Sequence, residues 1–124
     1  MFCDGPKNEA NSKTHEAIKQ VRALVKSKSW CKTVTVYESE SNEGLANSIV
    51  EGVTQIVNQF GKIIVLEDDI VTARGFLRYM NEALDLYEHE DNVMHIGSYL
   101  PYTNSYKKLP ETFLSRFMSC WGWA

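Results

Sequence analysis

The feature that most restricts this chain is the run Ile63-Ile64-Val65-Leu66, followed at once by Glu67-Asp68-Asp69. Four consecutive apolar residues, three of them β-branched, read as a strand. An unbroken apolar run, rather than an alternating one, implies burial on both faces, as at the centre of a parallel sheet. In an open α/β sheet, ligands bind beyond the carboxyl ends of the strands. Three acids at that end repel one another, and their clustering invites a cation. Carboxylate oxygens are hard ligands that suit Mg²⁺ or Mn²⁺. The competing reading is structural: acids after a strand can cap the next helix and favour its dipole.

Alternating patterns surround this run. Met1-Phe2-Cys3 is a short apolar segment that meets a turn signal at Asp4-Gly5-Pro6. Asn11 or Ser12 can cap a helix whose stripe is Ile18, Val21, Leu24 and Val25. Thr33 to Tyr37 reads as a strand, and Glu38 to Gly44 as a polar loop. A second helix carries Leu45, Ile49, Val53, Ile56, Val57 and Phe60, with Gly61 as its stop. A third carries Phe76, Leu77, Met80, Leu84 and Tyr87. Val93 to Ile96 reads as a further strand, Pro101 to Pro110 shows no helix pattern, and Phe113 to Phe117 reads as a last short strand. Strand and helix in alternation predict a layered α/β domain with a mostly parallel sheet. One domain over residues 1–124 is expected, cut short at both ends, since the first strand looks clipped and two tryptophans crowd the last four residues.

Composition narrows the function classes. Thirteen basic against sixteen acidic residues give a net charge of −3. No basic stripe marks a nucleic-acid binder. No apolar run approaches the roughly 20 residues of a membrane span, and the polar N-terminal stretch is unlike a signal peptide. A cytoplasmic location is the expectation. Cys3, Cys31 and Cys120 are odd in number and far apart, which reads as three free thiols.

Four segments, taken in order, resemble GT-A nucleotide-sugar glycosyltransferases. Val65-Leu66-Glu67-Asp68-Asp69-Ile70 resembles their acidic, DXD-like motif, in the Glu-Asp-Asp form of N-acetylglucosaminyltransferase-like enzymes and related bacterial sugar transferases. Cys3-Asp4-Gly5-Pro6 resembles the Asp-Gly-Pro that follows the second strand, and Asn42-Glu43-Gly44-Leu45 the Asn-x-Gly that opens the helix before the acidic motif. Trp121-Gly122-Trp123-Ala124 resembles the start of a Trp-Gly-Trp-Ala-Thr-Trp segment. The resemblance spans nearly the whole chain.

The resemblance implies a three-layer Rossmann-like GT-A domain. It also implies transfer of a sugar from a nucleotide-diphosphate sugar, with UDP as carrier, to a glycan or other hydroxyl acceptor. Asp69 would be the direct metal ligand, assisted by Asp68, which would lie near the ribose and diphosphate. Glu67 would lie near the donor, and Asp4 would contact the nucleotide. Gly5, Asn42 and Gly44 would complete the nucleotide-sugar site, and Trp121 and Trp123 would shape the sugar pocket. Bland readings stand beside these: a cap for Asn42, a helix start for Gly44, plain core for the tryptophans.

Departures from the family pattern bear on turnover. An Asn-Arg-Pro-like segment at the first strand is absent, and Leu45-Ala46-Asn47 stands where many relatives have a basic residue. The usual catalytic base would lie beyond Ala124, so this chain alone is not expected to turn over. A missing first strand would leave a sheet edge open to self-association. Two other readings stand beside this one: a non-catalytic binding or scaffold domain of glycosyltransferase ancestry, and a receiver-like Mg²⁺-binding signalling domain. The latter carries its acids after the first strand and a phospho-accepting Asp after a later one, which Val93 to Ser98 does not supply.

Overall fold

A computed structural model describes residues 1–100 and 109–124. Those residues form two compact units, Met1–Gln55 and Ile56–Ala124. The expectation for Pro101 to Pro110 falls almost wholly on residues 101–108, outside the described residues.

In the first unit, β1 (Phe2–Cys3) pairs in parallel with β2 (Tyr37–Glu38), joined by α1 (Ser12–Ser27). Phe2 stands opposite Tyr37, and their rings stack with centroids 4.7 Å apart. Asn11 caps α1, its Oδ1 accepting the backbone N–H of Thr14 at 2.9 Å. The strand expected over Thr33 to Tyr37 is shortened to Tyr37–Glu38, because β1 offers partners over only two residues. Upstream of the ladder, the Met1 ammonium donates to the Thr35 carbonyl and Cys31 Sγ to that of Thr33. α2 (Gly44–Phe60) follows, and its buried Gly52 lets the Phe2 ring approach the helix backbone.

The second unit holds the buried core. On α3 (Phe76–Leu86), Phe76, Met80 and Ala83 recur at helical spacing and close over Ile96. Ile64, Leu84, Tyr87 and Ala124 pack around them. Three extended segments run beneath. Val65 bridges Trp123 antiparallel, with hydrogen bonds of 2.7 and 3.2 Å in the two directions. On its other side Trp123 bridges Gly97, flanked by mutual bonds between Ile96 and Ala124 at 2.8 and 3.0 Å. Side chains alternate across such segments. Ile64, Ile96 and Ala124 therefore share the face under α3, while Val65 and Trp123 share the other.

This architecture corrects the expected fold. Among the described residues there are three helices and one two-stranded parallel sheet, not a three-layer Rossmann-like domain with a central parallel sheet. Ile63–Leu66 is not a strand buried on both faces: only Val65 bridges, its partner is antiparallel, and Leu66 is 45% exposed. Val93 to Ile96 forms no named strand; the bridge falls one residue later, at Gly97. Phe113 to Phe117 forms none either, and Phe113, Leu114 and Phe117 are exposed. The physical cause is shared. Apolar β-branched runs are compatible with a strand, but a strand exists only where a ladder partner runs alongside it.

Other expectations fare differently. Gly61 ends α2 with a positive φ of 80°, its N–H donating to Val57 at 2.8 Å. The three cysteines are free thiols. No helix among the described residues is long and apolar enough to cross a membrane.

Candidate functional site

The residues singled out by sequence fall into two groups, one in each unit. The first is built around Asp4, at the end of β1. Its Oδ1 accepts the backbone N–H of Gly5 at 2.8 Å and of Glu43 at 2.9 Å, and its Oδ2 accepts Asn42 Nδ2 at 2.7 Å. Asn42 also donates to the Gly5 carbonyl at 3.3 Å. Asp4, Gly5, Asn42 and Gly44 are thus brought together. Glu43 and Gly44 open α2, so the Asp4 carboxylate serves as a cap supplied from a distant part of the chain.

Gly44 itself has a φ of +76°, left-handed backbone that favours glycine. The Glu43 N–H, foremost, and those of Gly5 and Gly44 hold the Asp4 carboxyl below its ordinary 3.8. The nearby Arg22 guanidinium adds to this, while partial burial opposes it.

Arg22 is a residue that the sequence reading passed over. Its Nη2 donates to the carbonyls of Asp4 at 3.1 Å and Ser39 at 2.7 Å, tying α1 to the ends of both strands. A signal was present: Arg22 lies four residues after Ile18 and three before Val25, within the apolar stripe of the helix.

The second group contains Glu67, Asp68 and Asp69. Val65 places them two to four residues past its bridge, and the Ile70 N–H donates to the Glu67 carbonyl at 3.2 Å, closing a turn. Asp68 and Asp69 are exposed and Glu67 is half-buried. Among the described residues, none of the three carboxylates accepts a hydrogen bond or forms an ion pair. They do not cap α3 either: its cap position is Gly75, without a side-chain bond. The structural reading of the triplet, as a helix cap, is therefore set aside.

Hard carboxylate oxygens on an exposed turn match Mg²⁺ or Mn²⁺ in donor type. Among the described residues no three His, Cys, Asp or Glu side chains converge into a ready-made cage. Magnesium is commonly held by only one or two carboxylates, with water and substrate phosphate completing the shell. Asp68 and Asp69 fit that pattern.

Neither Trp121 nor Trp123 belongs to the buried core under α3. Their environments differ. Trp123 is half-buried and stacks with His95 at 5.5 Å, and His95 Nε2 lies 3.0 Å from the Ser119 carbonyl. Trp121 is 55% exposed and lies against Tyr99, ring centroids 4.5 Å apart. Between the two tryptophans, Gly122 has a φ of +71°, and its carbonyl accepts Ser98 Oγ at 2.9 Å. Ser98 and Tyr99 carried no signal in the sequence; they matter because the antiparallel register sets them opposite Gly122 and Trp121.

No protein-family model, curated protein or solved structure matches the chain.

Proposed function

We propose that this chain is part of a nucleotide-sugar glycosyltransferase. Its Glu67-Asp68-Asp69 turn holds a divalent cation and, through it, the diphosphate of a UDP-linked donor whose sugar passes to an acceptor hydroxyl. The observation that carries this reading is the idle state of the three carboxylates: they sit together on a turn and serve no cap, ion pair or internal hydrogen bond among the described residues. Adjacent unpaired acids repel one another. A cation shared with a phosphate ligand relieves that repulsion, whereas no internal contact among the described residues does.

In this reading Asp69 holds the cation directly and Asp68 assists. A bound Mg²⁺ or Mn²⁺ would offset the charge that develops on a departing diphosphate. Glu67, the half-buried one of the three and nearest the Val65 bridge, faces the donor in this reading. The Asp4 carboxylate is occupied by Gly5, Asn42 and Glu43, so it acts by fixing the loop that leads into α2. No residue of the chain is given the role of catalytic base.

The test is a calorimetric titration of UDP into the chain, with and without Mn²⁺, against Asp69→Asn. Binding that requires both Mn²⁺ and Asp69 is the expected result. Metal-independent binding, equal binding by Asp69→Asn, or no binding by the folded wild-type chain would each overturn the metal–diphosphate role.

A further inference from the structure

The chain's net charge of −3 conceals a local excess of the opposite sign. Residues 12–32, which are α1 and the turn after it, hold six Lys or Arg residues against the single acid Glu16, a net charge of +5. α1 itself has two apolar stripes. Arg22 donates to carbonyls at the ends of both strands, and Ile18 and Val25, four residues before it and three after, are half-buried on the same side. Beside that face, Ala17, Val21 and Leu24 recur at helical spacing and are left in solvent, Val21 57% and Leu24 52% exposed. Lys13, four residues before Ala17, and Lys28, four after Leu24, bound this second stripe. Trp30 closes its C-terminal end. The indole N–H donates to the Val25 carbonyl at 2.9 Å, Trp30 is 51% exposed, and the Lys28 ammonium lies 5.2 Å from the ring centroid. Among the described residues Lys13, Lys28 and Lys32 enter no ion pair, whereas Lys26 is paired with Glu38 at 2.9 Å.

We propose that this stripe is a docking surface for an anionic lipid membrane, on which α1 lies in the plane of the interface. Val21, Leu24 and Trp30 enter the apolar boundary, and Lys13, Lys28 and Lys32 meet the headgroup phosphates. Charge complementarity selects this occupant. Cations framing an apolar stripe match a surface that is negative at its headgroups and apolar just beneath them. Lysine stems lie along apolar surface while their ammonium groups stay in water. A tryptophan ring suits the same boundary. A nucleic acid would engage the cations and leave Val21 and Leu24 in water. A helix-binding protein groove takes the broad face at i, i+3, i+4 and i+7. α1 has already turned that face, through Ile18, Arg22 and Val25, to its own strands. A flat lipid surface needs only the narrow stripe that remains. Neither the acidic turn nor the Asp4 cap takes part.

The experiment is cosedimentation of the whole chain with vesicles, of phosphatidylcholine alone and of phosphatidylcholine with phosphatidylserine, in low-salt buffer free of nucleotide and metal. Binding to the anionic vesicles only, reduced by added salt, is the expected result. Lys13→Gln with Lys28→Gln should weaken it about twentyfold, since each lysine near an anionic surface is worth roughly fivefold in affinity. Lys7→Gln with Arg74→Gln removes the same charge elsewhere and should leave binding close to wild type. Val21→Ser with Leu24→Ser should lose it. Leu24→Trp keeps an apolar group at the same exposed place and should retain it, which separates a lost docking surface from a lost fold. Tryptophan fluorescence of the wild type should shift to the blue on binding, and Trp30→Phe, with Trp121 and Trp123 intact, should abolish the shift. No binding to anionic vesicles, equal binding to phosphatidylcholine alone, or undiminished binding by Val21→Ser with Leu24→Ser would each overturn the proposal. So would an equal loss from the Lys7 and Arg74 pair, or a fluorescence shift that Trp30→Phe leaves unchanged. A dimer that Val21→Ser with Leu24→Ser abolishes, with no vesicle binding, would give the stripe to a second copy of the chain and overturn it as well.

Discussion

The backbone of Ser41 fills the space where a side chain on Gly5 would begin. A Cβ built there would stand 2.5 Å from the Ser41 carbonyl carbon and oxygen and 2.7 Å from its nitrogen. This close crossing of β1's end with the loop into α2 brings the Asp4 carboxylate onto the Glu43 N–H. Gly5→Ala must push two backbones apart rather than turn a flexible side chain. We expect a loss of about 3 kcal/mol, the upper end of what overpacking costs, read as a lower urea midpoint. An unchanged midpoint would mean that the two segments do not cross so closely.

The Asp4 cap predicts a pH dependence. Its carboxyl is held below the ordinary 3.8, chiefly by the Glu43 N–H. A group with a depressed folded pKa stabilises the fold above its unfolded value and loses that effect as pH falls through the folded one. Asp4→Asn removes the charge and sets an amide donor against Asn42 Nδ2. The stability gap between wild type and Asp4→Asn should be full at neutral pH and narrow below 3.8. Urea unfolding across that range measures it, and a gap that widens in acid would contradict the cap.

In the second unit, Met80 is fully buried within a core of four buried apolar residues among those described. Met80→Ala should cost about 2–5 kcal/mol, enough to unfold so small a core. Gly122→Ala acts from the opposite side of the same contact. A Cβ there meets the Phe76 ring and Ser98 Oγ at 3.0 Å each, on backbone with φ +71°. The left-handed backbone alone costs roughly 1–2 kcal/mol for an L-residue, before any shift of Phe76. Loss of near-ultraviolet dichroism, from Trp121 and Trp123 on either side, would report both variants.

The helices were legible because each rests on local signals: the Asn11 cap, the apolar spacing along α2 with Gly61 behind it, and the Phe76-Met80-Leu84 stripe of α3. The sheet was not, because a strand is defined by its partner. Ile63 to Leu66 reads the same whether it sits in a parallel sheet or makes one antiparallel bridge to a residue almost sixty positions away. Of the candidate site, the residue types were legible and their employment was not. Asp4 and Asp69 look equivalent in sequence, yet Asp4 is saturated by internal donors and Asp69 has none among the described residues. Tyr99 had no signal at all, since its place is set by the contact with Trp121.

That contrast between Asp4 and Asp69 can be measured directly. If the acidic turn were part of the scaffold, neutralising it would cost stability, as removing a cap does. It makes no internal bond among the described residues, and its charges repel one another, so removal should be free or slightly favourable. Asp68→Asn and Asp69→Asn, singly and together, should shift unfolding free energy by no more than about 0.5 kcal/mol, the range for exposed sites without special contacts. Any gain in the double variant should shrink with added salt, as relief of exposed like-charge repulsion must. Asp4→Asn, measured alongside at neutral pH, should be the destabilised member of the set. A double variant that lost as much as Asp4→Asn would give the triplet a structural purpose and remove the observation on which the metal–diphosphate reading stands.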